Sequence, residues 1–205
     1  MIAFETEQTD DLKFVEELCW KLLSYGAGDR RSAMRNVVVG NAVDGKSFMQ
    51  TVTLRRVEVA DRKVFFHTDI RSEKLNAIQQ SGHLSWLAHD PTNRSQIRLF
   101  GETAIHHRDA LCAEHWAKTK HPSRRCYLSP EGPGTRIEGV ASSENKYLEN
   151  FAYTMEESEA GFENFVVVET CVEWMDWYYT HSKGNRRAEF EYENGVLKSM
   201  GWRVS

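Results

Sequence analysis

The chain has 205 residues, 40% of them hydrophobic, and a formal net charge of −4. That is enough apolar material for one substantial core, and the acidic balance gives no ground for nonspecific nucleic-acid binding. No run of about 18 apolar residues occurs, so no membrane-spanning helix is expected.

The first residues, M-I-A-F-E-T-E-Q-T-D-D, are acidic and lack a basic and then apolar start, so no secretory leader is expected. Cys19, Cys112, Cys126 and Cys171 are far apart and read as reduced thiols of a cytoplasmic protein. "TDDLKFVEELCWKLLSYGAG" reads as a helix, with Thr9 or Asp10 as cap and Gly26 or Gly28 as stop. Leu12, Phe14, Val15, Leu18, Cys19, Leu22 and Leu23 form its apolar stripe. "AMRNVVVGNAV" and "SFMQTVTLRRVEV" flank Asp44-Gly45, a strong hairpin signal.

"RKVFFHT" is a third strand, and "SEKLNAIQQSG" a short helix closed by Gly82. "HLSWLAHD" and "QIRLFGETAIHH" are strands joined by the turn "PTNR", and "RDALCAEHWAKT" is helical. Ser129 to Asn145, rich in Gly, Pro and Ser, reads as an ordered loop or lid, and "ENKYLENFAYTMEESE" as a further helix. "FVVVETCVEWMDWYY", "RRAEFEY" and "VLKSMGWRV" are the last strands, the final two joined by Asn194-Gly195. The spacing excludes β-α-β units and fits an antiparallel barrel or sandwich with peripheral helices. Most of the six tryptophans and ten phenylalanines are expected to pack its core.

One stretch, "FFHTDIRSEK", packs unusual chemistry into the end of a strand. Ser72 can cap a helix beginning at Glu73, whose first-turn amides carry partial positive charge, and Arg71 and Lys74 flank them. Amides, a hydroxyl and cations together suit a phosphate. An ordinary capped helix start with solvated charges uses the same residues.

F-H-T-D-I-R-S-E-K resembles the F-[YH]-T-[ND]-x-x-S-x-K motif of the pyridoxamine 5′-phosphate oxidase-like, FMN-binding split-barrel family, in its oxidase-related branch. "QTVTLRR", one strand earlier, resembles the family's R-x-V-x-L-[KR] strand, and "SQIRLFGETA", one strand later, its Q-[VIL]-[RM]-[VL]-x-G-x-A strand. The resemblance implies a mainly β, antiparallel Greek-key split β-barrel with peripheral helices. It implies one domain over residues 1–205, in which 1–30 hold the N-terminal helix and 165–205 complete a flavin cleft.

It further implies FMN as cofactor and a homodimer with the cleft at the interface. Ser72 and Lys74 would hold the phosphate, with Arg71 nearby, and His67 and Thr68 would lie beside the flavin. Thr51, Val52, Thr53 and Leu54 would follow the ring, and Gln96 would contact it. Arg187 would reach the cleft of the partner subunit. Trp177, or Met175 in a shifted alignment, would face the flavin.

Gln50 stands where the family carries a phosphate-binding arginine, and Glu73 where the vitamin enzymes carry another, so Arg71, Arg35 or Arg136 would have to compensate. On the substrate side the counterparts are Arg55, Trp116, Lys120 and Arg124. The family's arginine and histidine over the substrate ring fall at Lys183 and Asn185. A neutral Asn cannot replace a protonated His, so poor recognition of pyridoxine phosphate is expected.

No side chain is expected to act as an acid or base, since the flavin would supply the redox chemistry. The implied activity is an FMN-dependent oxidoreductase acting on a small, anionic compound; the rival is a flavin-binding or flavin-buffering protein without turnover. His106, His107, Cys112 and His115 have only one tight ligand pair, at Cys112 and His115, so no metal site is expected. Lys118 to Arg125 form a basic cluster that fits an anionic substrate or plain solvent equally well.

Overall fold

The computed structural model describes residues 2, 4–138 and 152–205. The chain divides into two compact units. One comprises Met1–Phe66, Gln80–Ala104 and Glu169–Ser205, and the other His67–Gln79 and Ile105–Val168. No helix among the described residues is long and apolar enough to cross a membrane.

The first unit opens with α1 (Leu12–Gly28). Its cap is neither Thr9 nor Asp10 but Asp11, whose Oδ1 accepts the amides of Lys13 (2.8 Å) and Phe14 (3.3 Å). Thr9 and Asp10 belong instead to a 3-10 turn, Thr6–Asp10, where the Glu5 amide donates to the Gln8 side chain at 2.9 Å. The helix buries Val15, Leu18, Cys19, Trp20, Leu22 and Leu23. Buried Glu16 fastens α1 to the sheet. It takes the Arg62 guanidinium at 3.1 Å and the Tyr192 hydroxyl at 2.9 Å, while Trp20 Nε1 donates to that hydroxyl at 3.0 Å. Burial, first, and the neighbouring Glu16 push the Tyr192 hydroxyl far above its ordinary pKa, so it stays a donor.

The strands are β1 (Asn36–Val43), β2 (Lys46–Glu58), β3 (Lys63–Asp69), β4 (His83–Asp90), β5 (Ser95–His107), β6 (Phe165–Tyr179), β7 (Arg186–Glu193) and β8 (Val196–Trp202). They form one sheet in the order β3-β2-β1-β4-β5-β6-β7-β8, with a further β3–β6 pairing. The pairings of β1 with β2 and β4, β2 with β3, β4 with β5, and β7 with β6 and β8 are antiparallel.

Asp44 and Gly45 both take positive φ (51° and 73°), as do Asn194 and Gly195 (50° and 77°). These are the backbone angles that two-residue hairpin turns require, which is why both dipeptides could be read from sequence. The inner face carries Val37, Val39, Val52, Leu54, Leu84, Trp86, Ile97 and Leu99, all buried. A β-bulge between Leu54 and Arg56 places Arg55 out of the regular ladder.

The second unit contains α2 (Lys74–Ser81) up to Gln79, α3 (Ala110–Lys118), α4 (His121–Arg124) and α5 (Met155–Ser158). Asp109 caps α3 by accepting the Cys112 amide at 2.8 Å. Of the helix expected over Glu144–Glu159, Met155–Ser158 is helical; the part before residue 152 lies outside the described residues, as does the loop expectation beyond 138. Trp116, Tyr127 and Phe165 pack mutually with ring centroids 5.1–5.8 Å apart.

Candidate functional site

In the second unit, β3 ends at Asp69 and the chain turns into α2. The turn is set by the Ser72 amide, which donates to the Asp69 carbonyl at 3.0 Å. Helix α2 begins at Lys74, one residue later than expected, with Ser72 and Glu73 just ahead of its first turn. Thr68, Asp69 and Ser72 are buried. Lys74 is half-buried and donates to Thr68 Oγ1 at 3.0 Å. Burial lowers its pKa, and Asp69 opposes that more weakly. Among the described residues no carboxylate pairs with this amine. A desolvated ammonium beside a hydroxyl and a helix start is a strong attractor for a phosphate.

Arg71, expected near the phosphate, is engaged by a carboxylate and two backbone carbonyls. Its Nε and Nη2 reach the Asp69 carboxylate at 2.9 and 2.7 Å, and Nη1 donates to the carbonyls of Ser129 (2.8 Å) and Pro130 (3.0 Å). Bidentate pairing with Asp69 raises its pKa and neutralises its charge. The guanidinium is a strut between the β3–α2 turn and the segment after Leu128. His67 lies in a different setting: its Nε2 is 2.8 Å from Nδ1 of buried His115, and its ring packs edge-on against Phe165.

In the first unit the expected flavin-facing residues separate by strand parity. Thr51 and Thr53 lie on the exposed side of β2, whereas the side chains of Val52 and Leu54 are buried. Gln50 shares the inner side and stands opposite Val39. Cross-strand registers put Thr51, Val38, Leu87 and Arg98 in one lateral row on the outer face. Gln96 is on the same face of β5, two residues before Arg98. On β6, Met175 and Trp177 are both fully buried, so neither side chain reaches an outer-face ligand in this chain. Trp177 stacks on Tyr179 at 5.5 Å, and its indole N–H has no partner among the described residues.

Arg187 projects on the other side of its strand, opposite Tyr178, and is half-exposed. Its Nε donates to Asp176 Oδ1 at 2.7 Å, and Arg98 Nε donates to Oδ2 of the same carboxylate at 3.1 Å. Asp176 and Arg98 escaped the sequence reading. The available signal was a lone carboxylate inside the aromatic run "EWMDWYY".

Of the expected substrate residues, Arg124 and Trp116 pack together within the second unit. Arg124, expected on the substrate side, is 2% exposed. It is consumed by Glu159, Ser158 Oγ (3.1 Å), the carbonyls of Thr119 (3.2 Å) and Trp116 (2.9 Å), and the Trp116 ring 4.3 Å away. Trp116 is likewise buried, donating to Glu159 at 2.8 Å. Both are pillars of the second unit. Lys120 is exposed.

In the first unit, Lys183 is exposed and Asn185 shapes the β6–β7 turn, bonding Tyr178 Oη (2.9 Å) and the His181 amide (3.2 Å). Arg35 donates to the Ala27 carbonyl at 3.0 Å, and its pKa is lowered by burial, then by Arg55 and Arg30. Arg136 is exposed. Cys112 Sγ donates to the His106 carbonyl at 3.0 Å, and Asp109 holds the His106 ring at 2.7 Å. A cavity of about 380 Å³ lined by Tyr25, Asp29, Arg31, Ser32, Asp90 and Thr92 contains none of the expected site residues.

No family model matches the chain, and no curated protein matches it. Solved structures do. A pyridoxamine 5′-phosphate oxidase-related, FMN-binding protein from Nostoc punctiforme PCC 73102 is 16% identical with a TM-score of 0.72, covering 92% of this chain and 96% of that one. PhzG from Burkholderia lata 383, in complex with tetrahydrophenazine-1-carboxylic acid, is 15% identical with a TM-score of 0.68, covering 99% and 98%. A protein related to general stress protein 26 from Clostridium acetobutylicum is 13% identical with a TM-score of 0.52, covering 86% and 94%. At such identities the likeness is one of architecture: this chain has the split-barrel fold of the pyridoxamine 5′-phosphate oxidase-related proteins.

Proposed function

We propose that the chain is a single FMN-binding split-barrel domain that works as a homodimeric, FMN-dependent oxidoreductase on a small anionic compound. The observation that carries the reading is Lys74. It is a half-buried amine with no carboxylate partner among the described residues, bonded to Thr68 beside Ser72, on the very segment that resembles the phosphate motif. Its full-length fold-mates support the cofactor, since one of them is itself FMN-binding. PhzG, whose structure contains a tetrahydrophenazine carboxylic acid, supports a small anionic substrate. Bound FMN would supply the redox chemistry. Within the second unit, Lys74, Thr68 and Ser72 would hold its phosphate.

The absorbance spectrum of the purified protein, before and after FMN and dialysis, tests this reading. Retained oxidised-flavin bands are expected, and a colourless protein that does not take up FMN would end it. An exposed apolar group on the outer face supports the homodimer: Met49 is 74% exposed and Phe100 40%, in rows that meet at Gly40 and Ser85. Light scattering should report about twice the 23.7 kDa of one chain. A monomer with full FMN affinity would exclude a shared cleft.

A further inference from the structure

We infer that Arg98 and Arg187, held from the two oxygens of buried Asp176, form a prebuilt receptor for a carboxylate on an apolar or aromatic ligand. This rests on the outer-face flavin reading above and names the part of the substrate that the protein grips.

Asp176 is 1% exposed, yet both arginines it binds are partly open to solvent, with side-chain exposures of 40% and 34%. Arg98 gives it two contacts, Nε at 3.1 Å and Nη2 at 3.0 Å, and Arg187 gives Nε at 2.7 Å. The carboxylate therefore takes up one side of each fork and leaves other guanidinium N–H groups directed elsewhere. Arg98 is further fixed by lying over the Trp174 ring, 5.3 Å from its centroid.

The neighbouring charges balance: Glu189, opposite Asp176 on β7, is bound by Arg203. Two arginines and one aspartate leave a single net positive charge, which matches a monoanion better than a dianion. Two oriented forks fit a planar carboxylate, a geometry that ammonium groups do not offer. Leu87 stands directly beside Arg98, and Val38 beside Leu87, so an apolar strip leads from the arginine toward Thr51. Gln96 is about 7 Å away along β5, at strand rise. A ligand whose carboxylate meets Arg98 would point its ring along this strip, toward the flavin expected at Thr51. Asp176 is the positioning residue, since it touches the arginines and not the ligand.

Calorimetric titration of the FMN-loaded protein with benzoate, and with benzyl alcohol as the uncharged control, tests the inference. Saturable benzoate binding that benzyl alcohol does not share is expected. Arg98→Gln should weaken it about tenfold or more, and Arg98→Lys, which keeps the charge and loses the fork, should weaken it too. Asp176→Asn separates position from charge. It adds one net positive charge, so charge alone predicts tighter benzoate, whereas loss of the anchor predicts weaker binding.

No benzoate binding by the natural protein, unchanged affinity in Arg98→Gln, or tighter binding in Asp176→Asn would each overturn the inference. If Asp176→Asn does not fold, the exposed Arg98 variants still decide. FMN titrations run in parallel keep the two readings apart. Uptake of FMN without benzoate removes this inference alone. Uptake of benzoate without FMN removes the flavin reading and leaves the arginine pair.

Discussion

Lys74→Ala is expected to weaken FMN by about 10- to 150-fold and to leave riboflavin nearly unchanged, because only FMN carries the phosphate. The magnitude is that of one charge-assisted hydrogen bond, about 1.5–3 kcal/mol. The effect is large because the nearby guanidinium is already engaged: Arg71 is committed to Asp69, Ser129 and Pro130. Gln50 lies on the inner side of β2 and brings no charge.

The same amine sets a pH dependence. Burial lowers the Lys74 pKa, and a bound phosphate would favour the protonated form. FMN binding then takes up a proton wherever the free amine is neutral. Its affinity is full below the lowered pKa and falls as pH rises through that range, whereas riboflavin affinity does not. Fluorescence quenching of both flavins across pH measures both effects. Equal losses for the two flavins in Lys74→Ala would place the amine away from the phosphate.

Gly101→Ala is expected to cost about 3 kcal/mol or more, at or above the upper end of ordinary overpacking. A Cβ at Gly101 would stand 1.9 Å from the Cys171 carbonyl oxygen and 2.9 Å from Val172 Cα. Both obstacles are backbone, so no rotamer relieves the clash, and β5 and β6 would have to part. For a chain of this length the melting temperature should fall by about 6–12 °C or more. Gly28→Ala is the control. It is helical, with nothing within 4 Å of the added carbon, and should be neutral or mildly stabilising. Calorimetry on both variants checks the pair. A Gly101→Ala protein melting with the parent would mean that the two strands do not approach as closely as described. The glycine of the Q-I-R-L-F-G-E-T-A strand thus has a packing explanation independent of any ligand.

What could be read from the sequence was local. Asp44-Gly45 and Asn194-Gly195 specify their turns through backbone angles that few other residues adopt, and the apolar stripe of α1 follows from helical period alone. Those turns set the pairings of β1 with β2 and of β7 with β8, whereas the pairing of β1 with β4 follows from neither. What could not be read were partners supplied from far along the chain. Arg71 looks like a phosphate cation until the carbonyls of Ser129 and Pro130, 58 and 59 residues away, are brought to it. Arg124 reads as part of a basic cluster until Ser158 and Glu159, 34 and 35 residues away, are brought to it. The cap of α1 was displaced by one residue because the preceding 3-10 turn claims Thr9 and Asp10. Met175 and Trp177 cannot be told apart by strand parity. Residues two apart on a strand share a face, and here both lie on the buried one.

The strut at Arg71 has a consequence for how this sequence can vary. A Cβ on Gly132 would come within 2.6 Å of the Arg71 Cβ, an atom that every residue except glycine carries. Shortening the side chain at 71 therefore does not make room at 132; only removing it altogether does. The two positions exclude each other's side chains unless the backbone shifts. Among natural or selected variants they should covary in that pattern, so that position 132 accepts a side chain only in sequences that have given up the arginine and, with it, the tie to Ser129 and Pro130.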